Sequence, residues 1–284
     1  MRTSTSSAVS KAPLRVLASL SCPKCRKRIW DGRSQCLCPE CGARFNVEGE
    51  VLDFRVPALR RQAEELDWSK HWSGDFQETF SQRFFSDYRK AVFARTVGHF
   101  VNRYFAESGI FVEAGAGTSE TSCRILKHAG GRCLIALDLV REVLERTDPI
   151  MDVRICGDIF AMPFAADSLD GVWNVGVMEH FLHTDIDLIL SEFHRVIRPG
   201  GRVILLWPAT FSVPQRMLRV VEFFINLRRK KEDRFRFHPD EISQIRSIRE
   251  GRDVLTRNGF RVVTIDPGFR SLMGFETLVG EKVT

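Results

Sequence analysis

The sequence predicts an α/β fold: a mostly parallel sheet covered by helices on both faces, with a small cysteine-rich module in front of it. Three observations carry this. From residue 109 onward, apolar runs of strand length alternate with helical patterns. Residues 109–117, Gly-Ile-Phe-Val-Glu113-Ala-Gly115-Ala-Gly117, read as a strand, a tight glycine turn and a helix start. Cys22-Pro-Lys-Cys25 and Cys38-Pro-Glu-Cys41 form two CxxC knuckles with 12 residues between them.

In chain order, residues 1–13 are Ser/Thr-rich, lack an apolar signal core and read as a disordered tail, with a transit peptide as the alternative. Residues 14–57 are the cysteine module. Residues 58–108 form a helical linker and cap, in which Tyr88, Val92, Phe93, Val97, Phe100, Val101 and Tyr104 recur at helical spacing. Strands are predicted at 110–114, 132–137, 153–156, 171–175 and 202–207, followed by two more at 259–265 and 275–280. An amphipathic helix over 184–198 carries Ile186, Ile189, Leu190, Phe193, Val196 and Ile197, and Arg198-Pro-Gly-Gly201 ends it. An insert at about 208–240 holds an apolar helical face (Met217, Val220, Val221, Phe224, Leu227) followed by the basic run Arg228–Arg236.

The composition, 44% hydrophobic and 27% charged, is that of a soluble globular protein, and no apolar run is long enough to span a bilayer. The net charge of +6 is unevenly placed. Residues 1–61 hold 12 Lys/Arg against 5 Asp/Glu, so the remainder, with 30 against 31, sits near neutrality. A basic module can meet RNA, an anionic membrane surface or an acidic partner, and charge alone does not choose.

The two knuckles present Cys22, Cys25, Cys38 and Cys41 to one tetrahedral Zn²⁺, the staple that a segment with little core of its own requires. Disulfides or redox motifs are the alternative. Cys133 and Cys156 fall in predicted strands and Cys123 in a predicted helix, the pattern of buried thiols in a reducing cytoplasm. Cys36 stands as an outward neighbour or a substitute ligand.

At the glycine turn, bare backbone permits positive φ and close approach of a ligand, and Asp138, 21 residues after Gly117, is placed to accept both ribose hydroxyls of a cofactor. A dinucleotide fingerprint requires a third glycine where Glu120 stands, and a pyrophosphate would meet that charge. S-adenosylmethionine (SAM) has no phosphate, carries a sulfonium, and tolerates Glu113 beside the first glycine. An ordinary Gly-rich turn is the other reading of these residues taken alone.

Beyond this turn, Gly157-Asp158-Ile-Phe-Ala-Met-Pro163-Phe, Asp170-Gly-Val-Trp-Asn174-Val-Gly-Val-Met-Glu179-His180-Phe and Glu192-Phe-His-Arg-Val-Ile-Arg-Pro-Gly-Gly201 follow in order. With these blocks the chain resembles SAM-dependent methyltransferases of the type 11 group across residues 109–208. That resemblance implies the Rossmann-like class I sheet of seven strands, mostly parallel with one antiparallel strand. It also implies roles. Gly115 and Gly117 border the methionine tail, Asp138 with Leu139 takes the ribose, Asp158 and the Ile159 amide read the adenine edge, and Asn174 closes the fourth strand beside the methionine. Glu113 orders the turn or meets the amine through water, and a helix cap is the alternative role for Asp158. Residues 14–57, with their flanks Leu14–Leu20 and Phe45–Phe54, resemble the Trm112-like zinc ribbon, whose members serve methyltransferases as partners or fused domains. A four-cysteine shell leaves no open position, so this zinc is structural.

Methyl transfer needs alignment and exclusion of water, and a base only where the acceptor sheds a proton. His180 and His183, past the fourth strand, are the candidates for that work, with Glu179 in reserve; ordering the loop is the alternative role. Trp72, His71 and Tyr88 are candidates to close over SAM or substrate, and His238 sits at a helix start. No Asn-Pro-Pro-Tyr and no Pro-Cys follows the fourth strand, which argues against the usual amide or exocyclic-amine scheme and against covalent cytosine methylation. Three functions follow: methylation of an O or N on a small-molecule, lipid-linked or glycan-linked acceptor; methylation of rRNA guanine N1 with the ribbon gripping RNA; or a non-catalytic scaffold.

Overall fold

The computed structural model describes residues 12–29, 36–46, 50–56, 89–129, 131–208, 226, 242–245, 247–268 and 274–283. The expectations for His71, Trp72, Tyr88 and His238, for the tail before residue 12 and for the insert at 209–240, Asn226 aside, lie outside them. Ala12 is itself buried.

All seven expected strands are present: β4 (Gly109–Ala114), β5 (Arg132–Asp138), β6 (Val153–Cys156), β7 (Leu169–Val175), β8 (Ile197–Pro208), β9 (Phe260–Asp266) and β10 (Phe275–Lys282). They join in the order β6-β5-β4-β7-β8-β10-β9, with β10 antiparallel to both of its neighbours. Strands β4, β5 and β7 are buried on both faces, which is why they read as nearly continuous apolar runs rather than alternations. After β5 and β6 the chain returns to the other side of β4 to lay down β7. The carboxyl ends of β4 and β7 therefore flank a topological switch point, where open α/β sheets bind their ligands.

An eighth strand was not expected. In the cysteine module, α1 (Leu14–Ser19) and the short hairpin β1 (Cys36–Leu37) and β2 (Arg44–Phe45) lead into β3 (Val51–Asp53), which pairs parallel to β6 at the sheet's edge. The Phe54 amide donates to Cys156 O at 2.8 Å. The module's Leu17, Leu20, Cys22, Cys38, Phe45 and Phe54 belong to one apolar cluster with Ile155, Phe164, Leu190 and Phe193, so module and sheet share a core.

The opposite face is covered by α2 (Ala94–Tyr104), entered through a π-helical turn at Arg89–Phe93. It lays Val97, Phe100 and Val101 on Phe111, Leu134 and Trp173. Its C-terminus is closed by Arg132, whose Nε donates to Ala106 O (2.7 Å), Nη1 to Asn102 Oδ1 and Leu126 O, and Nη2 to Val101 O and Phe105 O. All five guanidinium donors are used on carbonyl and amide oxygens, which explains a buried cation with no carboxylate bonded to it. Arg132→Met is expected to lower unfolding free energy by about 3 kcal/mol in urea titration, because five acceptors are left inside the protein. A loss below about 1 kcal/mol would show that water replaces the guanidinium.

Two helix expectations are corrected. After the glycine turn there is only a 3₁₀ turn, Glu120–Ser122, with Cys123 just past it. The Ser/Thr-rich run Thr118–Ser122 has low helix propensity, the Ser122 hydroxyl is held by the Glu113 carboxyl, and Ser119 is left-handed at φ 53°. The helix predicted over 184–198 is α4 (His183–Val196), and the chain is already in β8 at Ile197. Between β5 and β6 lies the short α3 (Arg141–Leu144), and α5 (Ile248–Arg257) precedes β9. No helix of the described residues is long and apolar enough to cross a membrane.

Candidate active site

At the end of β4 the chain turns through Gly115 (φ 71°) and Gly117 (φ 51°). A Cβ on Gly115 would stand 2.6 Å from Val177 Cγ2, so both conformation and space require glycine there. The amides of Gly115 and Ala116 donate to Leu137 O on β5. Asp138, at the end of β5, receives the Gly117 amide on Oδ2 at 2.8 Å and the Val140 amide on Oδ1 at 2.9 Å. Each carboxylate oxygen has a second lone pair, so Asp138 retains acceptors for a pair of vicinal hydroxyls. Burial raises its pKa, against the pull of those same amides. Leu139 follows it, with its carbonyl accepting from Cys156 Sγ.

After β6, Asp158 Oδ1 accepts from the Phe160 amide at 2.9 Å, and Asp158 O from the Ala161 amide at 3.1 Å. Asp158 thus caps a turn and stands beside the buried Ile159. Asn174, one residue beyond the Glu113–Trp173 pair that joins β4 to β7, is 1% exposed, and its Oδ1 and Nδ2 have no hydrogen-bond partner among the described residues. A buried amide with both ends unmet is costly unless a ligand meets it. The cofactor's amino-acid tail, an ammonium and a carboxylate, offers the acceptor and the donor that such an amide requires. The residues present fit SAM.

Glu113 is buried, and Ser122 Oγ lies 2.9 Å from its Oε1 and 3.0 Å from its Oε2. Trp173 Nε1 donates to the same hydroxyl at 3.4 Å. The carboxyl therefore orders the turn by tying it to the 3₁₀ segment. Burial pushes its pKa up to about 7, with the Asp138 charge adding to the effect. A carboxyl raised from its usual 4.5 stabilises the fold fully below pH 4.5, and that stability is lost as pH rises through about 7. The loss amounts to about 3 kcal/mol. Glu276, pushed up to about 7 by burial and by Glu250, acts with the same sign. Glu113→Gln should remove only the Glu113 share of this pH dependence. Parallel urea titrations of the two proteins at pH 5 and pH 8 measure it, and identical slopes would contradict the buried-acid account.

Past β7, a 3₁₀ turn at Met178–His180 carries the expected acceptor-side residues. Glu179 is buried, and its Oε1 lies 3.7 Å from His180 Nε2. Its carbonyl accepts the amides of Ile242 (2.6 Å) and Ser243 (3.0 Å). Ser243 returns a bond from Oγ to Met178 O, and the buried Trp207 indole donates to Ser243 O. The segment after the insert is thereby seated on this loop. The structure brings His180 and Glu179 together, and His183 opens α4 and is exposed.

The four sulfurs of Cys22, Cys25, Cys38 and Cys41 lie within 4.8 Å of one another, with Cys22–Cys41 at 3.7 Å and Cys25–Cys38 at 3.3 Å. Tetrahedral Zn–S bonds of about 2.3 Å place sulfurs about 3.8 Å apart, so the donor set fits one Zn²⁺. Burial pushes the Cys22 thiol up to about 12, and a metal would have to displace that proton. Cys36 opens β1; its side chain lies outside the described residues.

Sequence reasoning singled out none of Ser122, Trp207, Ser243 or the edge-to-face pair Phe160–Phe181, whose rings are 5.5 Å apart beside Asp158 and His180. Both phenylalanines fall inside the motif blocks. Ser243 meets the site only through the tertiary fold.

Residues 112–205 match the family model described as a methyltransferase domain. A malonyl-(acyl-carrier protein) O-methyltransferase of Erwinia pyrifoliae is 37% identical over 95 residues, 33% of this chain and 35% of that protein. A ubiquinone/menaquinone biosynthesis C-methyltransferase UbiE of Dinoroseobacter shibae is 33% identical over 109 residues, 34% of this chain and 40% of that protein. The match thus spans little more than a third of these relatives. In fold, the chain is similar to the Burkholderia thailandensis 1,6-didemethyltoxoflavin-N1-methyltransferase at 14% identity and a TM-score of 0.51, over 81% of this chain and 92% of that one. Residues 112–205 are thus similar in sequence to a methyltransferase domain, and the strand order and the glycine turn at the switch point accord with that likeness.

Proposed function

We propose that the protein is a SAM-dependent methyltransferase acting on an O or N of a small-molecule, lipid-linked or glycan-linked acceptor, with one structural zinc on Cys22, Cys25, Cys38 and Cys41 in a Trm112-like ribbon. The observation that carries the cofactor assignment is the unmet amide of buried Asn174 on β7, the strand paired with β4 just before the Gly115–Gly117 turn. Bound SAM supplies an activated methyl group on a sulfonium. The chain's work is to hold the ribose at Asp138, the adenine at Asp158 and Ile159, and the amino-acid tail at Asn174, so that the acceptor meets the methyl in line. His180 takes the acceptor's proton, and the Glu179 carboxylate beside its Nε2 stabilises the imidazolium that results.

The acceptor class draws on the relatives named for malonyl-(acyl-carrier protein) and for quinone biosynthesis. Reading rRNA as substrate relied on the module's basic residues, and several of these are already bonded within the protein: Arg15 to Gly131 O, Arg26 to Glu192 and Arg55 to Asp53. Tritiated SAM incubated with the zinc-loaded protein and, separately, with small-molecule, lipid and RNA extracts should label the first or second. Label confined to RNA would overturn this acceptor class. His180→Ala should lower kcat about 100-fold or more while leaving S-adenosylhomocysteine (SAH) binding unchanged, and an unaltered kcat would remove the base from the mechanism.

A further inference from the structure

The two cysteine knuckles are near-repeats. The Arg26 amide donates to Cys22 O (2.8 Å) as the Gly42 amide does to Cys38 O (3.0 Å), and the Cys22 amide reaches Lys27 O as Cys38 reaches Ala43 O, both at 2.8 Å. The residue after each second cysteine is left-handed, Arg26 at φ 65° and Gly42 at φ 68°. Glycine adopts this conformation freely, whereas a residue with a Cβ does so against steric resistance. An arginine there calls for an explanation in its side chain.

That side chain leaves the knuckle and enters the methyltransferase domain. Arg26 Nη1 donates to Glu192 Oε1 at 2.8 Å and to Met162 O at 3.3 Å, and Nη2 to Glu192 Oε2 at 3.3 Å. Glu192 is buried, and its Oε1 also receives the Met162 amide at 2.7 Å. Arg195 completes the cluster: Nε and Nη2 donate to Glu192, Nη1 to Phe164 O and Nη2 to Met162 O. On either side, Ser21 N donates to Pro163 O and Ala165 N to Ser19 O. Both backbone groups of Met162 are therefore held by a carboxylate between two guanidiniums, one of them delivered by the metal module. Four residues earlier, through the turn closed by the Ala161 and Phe160 amides, stands Asp158.

We propose that Arg26 is a positioning residue for the cofactor: seated on the zinc knuckle, it fixes the Met162 backbone through Glu192 and so holds Asp158 and Ile159 in place for the adenine edge. This rests on the SAM reading of the site. It gives the knuckle a share in cofactor affinity through one named side chain, and it explains why that side chain occupies a backbone position that glycine fills in the sister knuckle.

The test is Arg26→Gly, which preserves the left-handed turn by copying Gly42 and removes the side chain with its guanidinium. Zinc content is read by colorimetric release and ligand binding by calorimetry with SAH and with methylthioadenosine, which lacks the amino-acid tail. The expected result is one zinc per chain with affinity for both ligands reduced about tenfold, and a raised KM for SAM at unchanged kcat. Arg26→Lys, which keeps the cation without the fork, should fall between the two, and it is the deciding variant if the glycine variant loses zinc. Asn174→Ala should weaken SAH and spare methylthioadenosine. If zinc-loaded Arg26→Gly, or Arg26→Lys in its stead, binds both ligands within twofold of the unmodified protein, Arg26 only fastens the ribbon and the inference fails. If the unmodified protein binds neither ligand, the cofactor reading itself fails.

Discussion

Asp138→Ala should raise the dissociation constant for SAH by about 100-fold or more in calorimetry, while the protein stays folded. Two effects add. The carboxylate holds the Gly117 and Val140 amides, so its loss frees the turn that must border the cofactor. It also removes the acceptors proposed for the ribose, and hydrogen bonds to a charged group contribute about 1.5–3 kcal/mol each. Asp138→Asn should be nearly as severe. Its amide offers one oxygen where two are needed and turns N–H groups toward the Gly117 or Val140 N–H. Affinity within about threefold of the unmodified protein in either variant would remove Asp138 from the ribose site.

Removing the metal should do more than release a small module. Structural zinc in small cysteine sites is worth about 10–16 kcal/mol, comparable with the whole stability of a domain, about 5–15 kcal/mol. Here the knuckle residues Cys22 and Cys38 lie in the same apolar cluster as Phe164 and Phe193, and β3 is an edge strand of the main sheet. Chelation, or Cys41→Ser, is therefore expected to lower the melting temperature by more than about 10 °C and to expose β6. Readdition of zinc should restore the chelated protein. Thermal scans with and without chelator measure this, and an unchanged melting temperature after verified metal loss would show that the ribbon is an appendage.

The elements legible in the sequence were those whose signal is local or set by burial. Strands β4, β5 and β7 announce themselves because both of their faces are covered, and Asp138 because its distance from Gly117 is fixed by one strand-turn-strand unit. The four cysteines are legible as one cluster because the two CxxC knuckles bring their sulfurs within 4.8 Å of one another. The β3–β6 pairing was not legible: Val51-Leu52-Asp53 is too short to show a period, and its partner lies about 100 residues away. The missing helix after Gly117 follows from a run of poor helix formers, Thr118-Ser119 and Thr121-Ser122, and from the tie of Ser122 to Glu113, which a strand-turn-helix template ignores. Arg26 and Arg132 were invisible for a common reason. Each is a cation satisfied by backbone carbonyls or by a carboxylate far off in sequence.

The proposed SAM site is formed by Gly115, Gly117, Asp138, Asp158 and Asn174. Calorimetric titration of the zinc-loaded protein with SAH tests it most directly. The expected result is saturable binding at one ligand per chain, weakened about 100-fold or more by Asp138→Ala. Absence of binding to the folded, zinc-loaded protein would contradict it.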